Sequence, residues 1–87
     1  MKIRLEFVKR EIAGEVFLVP FGESAKEFSG LFALNELGSF IWDILPEAES
    51  EEQIVNRILD EYDVTREIAE ADTKEFLDKL REMKILA

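Results

Sequence analysis

The sequence predicts an α+β fold in which a three-stranded antiparallel sheet is followed by a three-helix bundle. Residues 3–34 contain segments of strand length that are either alternately apolar and polar or apolar throughout. Residues 36–84 then carry apolar side chains at the i, i+3, i+4 spacing of amphipathic helices. The 87 residues are expected to form a single domain, residues 1–87.

Three strands joined by short connections predict an antiparallel meander. The first strand, residues 3–12, alternates in polarity. The second, residues 15–21, is apolar on both faces, which predicts a central strand or one covered on both sides. Pro20 cannot donate a backbone hydrogen bond and is expected at the end of that strand or at a gap in the pairing. After a loop at residues 22–26, the third strand is predicted over residues 27–34.

Each predicted helix begins with a residue that favours helix N-termini. The first helix follows Asn35 and is expected to stop at Pro46. The second begins at Ser50, which stands three residues before a glutamine, the spacing of a capping box. Thr65 is expected to cap the third helix.

The composition argues against catalysis by this chain alone. The sequence contains no cysteine and no histidine, so disulfides, thiolate metal sites and the commonest general base are absent. It also lacks a glycine-rich phosphate loop, and no metal or cofactor is expected. The absence of cysteine fits a cytoplasmic location, and no apolar run approaches the roughly 20 residues of a membrane span.

The negative charge is concentrated in the helical half. Residues 1–42 hold 6 acidic and 5 basic side chains, net −1, whereas residues 43–87 hold 14 acidic and 6 basic ones, net −8. Such a surface repels the phosphates of nucleic acids and tolerates or attracts a cationic peptide. The plainer interpretation is a solvated surface that keeps the protein in solution.

The third predicted strand has the features of an unprotected sheet edge. In a three-stranded meander the first and third strands are the edges. The first has Lys9, Arg10 and Glu11 near one end, which discourage pairing with another strand. The third carries no charge between Phe28 and Leu34, so an extended peptide could add to it. A helix or a second subunit covering this edge is an equally good interpretation.

Three further residues have two interpretations each. Asp72 and Thr73 interrupt the apolar stripe of the last helix, so this turn either faces water beyond the core or places Asp72 at the rim of a groove. Trp42 lies beside the stripe of the first helix. It is interpreted as core or partly buried, with a partner contact as the alternative.

Four consecutive patterns resemble the PqqD family, also called the RiPP recognition element. The resemblance covers roughly residues 10–87. The patterns are G-E-x-F-L-V-P-F-G-E, S-G-L-F-A-L-N-E-L-G-S-F-I-W-D-I-L, S-x-E-x-I-V-x-x-I-L-x-E-Y-D-V and A-x-x-D-x-x-x-F-L-x-x-L-x-x-x-x-I-L. The most specific piece lies at Leu34 to Trp42, and the pieces at Glu61 to Val64 and Asp72 to Leu80 support it.

The resemblance implies a winged-helix-like fold and a non-catalytic function. Members bind the leader segment of a ribosomally made precursor peptide and deliver it to a modifying enzyme, often a radical S-adenosylmethionine (SAM) enzyme. The leader adds to the third strand, in the groove beside the third helix. The implied peptide-binding residues are Phe28, Ser29, Gly30, Leu31, Phe32, Ala33, Leu34, Asp72, Phe76, Lys79, Leu80 and Met83.

The chain departs from the family pattern at two positions. Lys84 stands where the family often has glycine, and Thr73 replaces a usual apolar residue. Because the domain serves many peptide pathways, the resemblance does not assign a product such as pyrroloquinoline quinone. The expected partners are a leader peptide and a modifying enzyme, with a homodimer allowed and neither nucleic acid nor membrane expected. The alternatives are a winged-helix nucleic-acid-binding or regulatory module, and a structural domain that docks to an enzyme.

Overall fold

The computed structural model describes residues 1–3, 6–28 and 30–86, and within them a three-stranded antiparallel sheet precedes the main helices. The predicted fold class is therefore confirmed. The elements, in chain order, are β1 (Phe7–Ile12), β2 (Glu15–Pro20), α1 (Ser24–Glu27), β3 (Phe32–Leu34), α2 (Glu36–Ile44), α3 (Glu51–Glu61) and α4 (Arg66–Glu82). The one-turn helix α1 is additional to the three predicted helices.

The sheet has the order β1-β2-β3, so β2 is central and β3 is an edge. Ala13 and Gly14 connect β1 to β2 with φ values of 54° and 83°, and Ile12 pairs with Glu15 across this turn. Positive φ at both central residues is the geometry that suits two-residue hairpins. Pro20 is the last residue of β2, as predicted from its missing N–H.

The third strand has three residues, Phe32–Leu34, so the predicted strand over residues 27–34 is wrong in its starting point. Residues 24–27 form α1, and the ring of Phe28 packs 5.5 Å from that of Phe7. Gly30 has φ of 89°, a left-handed conformation that interrupts an extended chain. The regular strand consequently starts at Phe32. Ser29 and the predicted first-strand residues Arg4 and Leu5 lie outside the described residues.

The predicted helix starts are confirmed. The side chains of Asn35, Ser50 and Thr65 each accept a hydrogen bond from the backbone N–H three residues later, at 2.7, 3.2 and 3.2 Å. Each cap satisfies a donor that the helix itself leaves unpaired. Helix α2 ends at Ile44, and Pro46 lies in a 3₁₀ turn, Leu45–Glu47, rather than at an abrupt stop.

One hydrophobic cluster joins the inner face of the sheet to α2, α3 and α4. Trp42 is 9% exposed and belongs to this cluster, which confirms its interpretation as a core residue. The buried apolar members are Leu18, Ile41, Trp42, Ile44, Leu45, Ala48, Ile54, Val55, Ile58, Ala69, Leu77, Leu80, Ile85 and Leu86. Lys9 also faces this side of the sheet, where its ammonium group bonds Asp43 of α2 at 2.6 Å.

Thr73 is buried, so the interpretation that its turn faces water is wrong for this residue. Its side chain is 1% exposed, and its Oγ1 has no hydrogen-bond partner among the described residues. Asp72, next to it, is only half-buried. An unpaired buried hydroxyl costs about 1–3 kcal/mol of stability, so Thr73 is an unfavourable core residue.

Replacing Thr73 with valine should therefore stabilise the fold. Thr73→Val keeps the shape of the side chain and removes the unpaired hydroxyl, so we expect the free energy of unfolding to rise by about 1 kcal/mol. Urea denaturation would measure the change. Thr65→Val is the matched control: it removes an N-cap bond and should lower stability by about 1 kcal/mol. An unchanged or lower midpoint for Thr73→Val would contradict the burial cost assigned here.

The end of α4 places Lys84, where the resemblance leads one to expect glycine, in a conformation that favours glycine. Lys84 has φ of 61°, the left-handed conformation that commonly ends helices. The following residue, Ile85, donates its N–H to the Leu80 carbonyl at 2.9 Å, and Ile85 and Leu86 then turn back into the core. A non-glycine residue in this conformation costs about 1–2 kcal/mol.

Lys84→Gly should remove that cost. Part of the gain is offset by the larger chain entropy that glycine loses on folding, roughly 0.5–1 kcal/mol. We expect a net stabilisation of about 0.5–1 kcal/mol, measured by urea denaturation. Lys84→Ala keeps the steric cost while removing the charge, so it separates the two effects. A gain for alanine equal to that for glycine would show that charge, not backbone conformation, limits stability at this position.

Candidate peptide-binding site

Strand β3 has one paired side and one side open to a groove. Its three residues pair with β2 through Val16↔Leu34, Phe17↔Ala33 and Leu18↔Phe32. Among the described residues no strand pairs with its other side. Backbone N–H and C=O groups alternate in direction along a strand, so part of this set points away from β2. The open side can therefore accept another extended segment.

A groove of about 120 Å³ lies between β3 and α4. The beginning of α2 closes its third side because Asn35 joins β3 directly to that helix. The groove is lined by Phe32, Ala33, Leu34, Asn35, Leu37, Gly38, Asp72, Glu75, Phe76 and Lys79. The residues of β3 and the side chains of α4 thus face the same space.

An aromatic pair forms the apolar part of the groove. Phe76 of α4 lies 6.4 Å from Phe32 of β3, measured between ring centroids. On its other side Phe76 approaches Gly38, where an added Cβ would lie 3.4 Å from the ring. Phe32 and Phe76 are both half-buried, so each keeps some surface available to a ligand.

The charged side chains of the groove come from α4. The ammonium group of Lys79 lies 6.0 Å from the centroid of the Phe32 ring, within the range of a cation–π contact. In the part of the chain that the structure describes, no carboxylate lies within 4.0 Å of that ammonium group. Asp72 and Glu75 contribute carboxylates to the same groove. Its walls therefore present both signs of charge around an apolar centre.

The structure brings half of the implied peptide-binding residues together. Six of the twelve line the groove: Phe32, Ala33, Leu34, Asp72, Phe76 and Lys79. Gly30 and Leu31 are exposed just before β3. Phe28 packs against Phe7 instead, and Ser29 lies outside the described residues.

Leu80 and Met83 do not line the groove. Leu80 is fully buried in the core, and Met83 is half-buried against the core at the end of α4. Leu80 lies about 40° round α4 from Phe76, away from Lys79 and within the buried stripe. Met83 lies on nearly the same side of the helix as Phe76 but roughly 10 Å further along the axis, just past the end of α4. They support the groove wall without facing a ligand. The resemblance implies that Leu80 and Met83 contact the peptide, but their positions in the structure do not support such a contact.

Sequence reasoning missed four lining residues: Asn35, Leu37, Gly38 and Glu75. The sequence did indicate Asn35, Leu37 and Gly38, because the helix cap Asn35 follows the strand immediately. The first turn of α2 must then lie at the end of the strand edge. Glu75 was indicated less clearly, only by its position next to Phe76 in the sequence.

A second concave surface of about 500 Å³ lies on the other side of the β3–α2 junction. Phe40 and Tyr62 meet there edge to face at 5.3 Å. Burial raises the pKa of the Tyr62 phenol above its ordinary value, and the neighbouring carboxylates of Glu36, Glu61 and Asp43 raise it further. This surface is lined by residues of β2, β3 and α2 together with Tyr62 at the end of α3, on the side where β3 is already paired with β2.

The described residues contain neither an evident metal site nor a membrane-spanning helix. No cluster of three or more Asp or Glu side chains could hold a metal ion in this part of the chain. In the same part, no helix has the length and apolar character needed to cross a bilayer.

Comparisons with known proteins identify the family. A search of curated proteins finds no match. The solved structure of TbiB1 in complex with the TbiA(beta) leader peptide is similar, with a TM-score of 0.71 and 35% sequence identity. That match covers 99% of this chain and 94% of the other. Residues 15–86 match the family model described as coenzyme PQQ synthesis protein D (PqqD). This match spans most of the sequence and confirms the resemblance: the chain belongs to the PqqD family.

Proposed function

We propose that this chain binds the leader segment of a ribosomally synthesised precursor peptide and presents it to a modifying enzyme without catalysing the modification. The observation that carries the proposal is the open side of β3 facing the groove along α4. The similar TbiB1 structure holds a leader peptide, which supports this choice of ligand. The whole chain, residues 1–87, would act as one peptide-binding domain.

The short strand limits what the backbone can contribute to affinity. With three residues in β3, an added strand gains only a few ladder bonds, each worth about 1 kcal/mol net. Ordering a disordered leader costs about 2–5 kcal/mol, which would cancel most of that gain. Burying a leucine-sized or aromatic side chain contributes about 1.5–3 kcal/mol. Affinity must therefore come largely from apolar leader residues packed on Phe32 and Phe76.

Charge sets which peptides can enter the groove. Asp72 and Glu75 favour a basic leader residue, and Lys79 favours an acidic one beside it. The net charge of −8 on residues 43–87 favours approach of a leader that carries cations. The chain would thus select a mixed-charge amphipathic segment rather than a uniformly acidic one.

The modifying enzyme is proposed from the family resemblance to be a radical SAM enzyme. The division of labour fits the composition, because a chain without cysteine or histidine lacks the usual nucleophile–base pairs. The chemistry would then belong entirely to the partner. The reducing cytoplasm remains the predicted compartment.

Binding by strand addition predicts a localised response to the leader. We expect the amide resonances of residues 32–35 and 72–79 to shift when ¹⁵N-labelled protein is titrated with the leader encoded beside its gene. The groove residues change environment, whereas α3 lies away from the groove and serves as the internal control. Unperturbed resonances in both groove segments at saturating peptide would refute binding at this site.

The apolar floor of the groove should dominate the affinity. Phe76→Ala removes the ring that lies between β3 and α2, and we expect leader binding to weaken by roughly 10- to 100-fold, measured by fluorescence anisotropy. Phe40→Ala is the matched control because Phe40 is also half-buried but contacts Tyr62 outside the groove. It should change affinity less than about 2-fold at a similar cost in stability. Equal losses of affinity for the two variants would place the site elsewhere.

A further inference from the structure

One exposed apolar residue of α4 extends the wall of the groove beyond its lining residues. Ile68 is 49% exposed and lies one turn before Asp72, about 6 Å along the helix axis. Successive helix residues are rotated by about 100°, so Ile68 lies about 80° round the helix from Phe76. The groove-lining residues of α4 occupy an arc of about 100°, from Phe76 to Glu75, that includes this position. Ile68 therefore belongs to the groove-facing side of α4.

The charged residues on this side of α4 differ from the others in having no ionic partner. Three of the four basic residues of α4 lie within 4.0 Å of a carboxylate: Arg66, Lys74 and Arg81. In the described part of the chain Lys79 does not, although Glu75 stands one turn before it, and its ammonium group lies over the Phe32 ring. Asp72 likewise has no basic group within 4.0 Å among the described residues. Both charges are therefore available to a ligand in the groove.

The contacts of α4 fix its direction relative to β3. Phe76 approaches Gly38, just past the end of β3, whereas Lys79, one turn later, approaches Phe32 at the start of the strand. Helix α4 therefore runs opposite to β3. From the α2 end of the groove to the Phe32 end, the wall is in turn apolar, acidic, apolar and basic: Ile68, Asp72, Phe76 and Lys79.

The spacing of these side chains matches that of an extended peptide. Residues four apart in a helix are separated by about 6 Å along its axis, and alternate residues of a strand by about 6.8 Å. Ile68, Asp72 and Phe76 follow at intervals of four, so they can contact alternate residues of a strand added to β3. Lys79 follows Phe76 by three residues, and its long side chain spans the remaining distance. Antiparallel addition continues the pattern of the sheet and is the more stable pairing, and it runs in the same direction as α4.

We infer that Ile68 is a recognition residue and that the groove selects a leader segment of about seven residues with a fixed order. Read from the N-terminus, its alternate residues are apolar, basic, apolar and acidic. The inference rests on the proposed function and specifies its ligand. The first apolar residue packs on Ile68, and the basic one pairs with Asp72. The second apolar residue packs on Phe32 and Phe76, and the acidic one pairs with Lys79. The intervening residues face away from α4 and are unrestricted.

Two synthetic peptides of identical composition test the order. The first has leucine, lysine, phenylalanine and glutamate at alternate positions, with threonine between them, and the second has the lysine and the glutamate exchanged. In the exchanged peptide each charge meets a like charge of α4, in Asp72 and Lys79. Fluorescence anisotropy of the labelled peptides with the full chain should give a dissociation constant about 10-fold lower for the first peptide. Equal or tighter binding of the exchanged peptide would overturn the inference, as would binding of neither at about 1 mM protein.

Ile68→Ala tests the contact that lies beyond the lining residues. Alanine favours helices, so the variant keeps α4 intact, and we expect binding of the first peptide to weaken about 5-fold. Ile12→Ala is the matched control, because Ile12 is 48% exposed but lies on β1, at the opposite edge of the sheet. It should change the affinity less than about 2-fold. Equal losses for the two variants would overturn the role of Ile68.

Charge reversal gives a readout that a merely structural role would not move. Lys79→Glu should weaken binding of the first peptide and restore it when the peptide's glutamate is replaced by lysine; loss without restoration would contradict the pairing. Amide shifts separate this inference from the proposed function. If both peptides bind equally and shift residues 32–35 and 72–79, the groove binds peptides and only the order is wrong. Shifts confined to other segments would contradict both.

Discussion

The groove depends on the packing of one side chain, Phe76, between β3 and α2. Its ring meets Phe32 on one side and Gly38 on the other. A Cβ at Gly38 would lie 3.4 Å from that ring and 3.0 Å from the Asn35 side-chain oxygen, which is already bonded to the Gly38 N–H. The absence of a side chain at Gly38 therefore makes two close contacts possible. It lets α4 approach α2, and it leaves room for the cap that ends the strand and starts the helix.

The sequence predicted the elements whose signals are local. The caps at Asn35, Ser50 and Thr65 involve a side chain and a backbone group three residues apart, so their positions follow from residue type alone. The edge position of β3 follows from the order of the elements, although the connection from β2, residues 21–31, is longer than the predicted loop because it contains α1. The groove between this edge and α4 came from the family resemblance, and the geometry agrees with it.

The errors concern features that depend on tertiary packing. Alternation over residues 27–34 suited a strand, but the positive φ of Gly30 and the contact of Phe28 with Phe7 end the strand early. The orientations of Thr73 and Leu80 depend on the rotation of α4 about its axis, which neighbouring helices fix. The periodicity of a single helix locates its apolar stripe. It does not show which residues at the margins of that stripe are buried in the folded protein.

The groove and the charge of the helical half act together on any peptide that binds here. The strand edge and α4 form a narrow groove in which an apolar centre is flanked by charges. Because the acidic side chains are concentrated behind the inner face, the same charge distribution can favour a cationic peptide and oppose helix-to-helix association.

Hydrogen exchange at β3 tests the central claim most directly. Outward-facing N–H groups of an edge strand exchange with solvent unless another strand pairs with them. Saturation with the leader peptide should slow exchange within residues 32–34 by at least 10-fold, and leave the β1–β2 turn unchanged. Unaltered exchange at all three residues, with protection appearing elsewhere in a peptide-bound sample, would contradict strand addition at this edge.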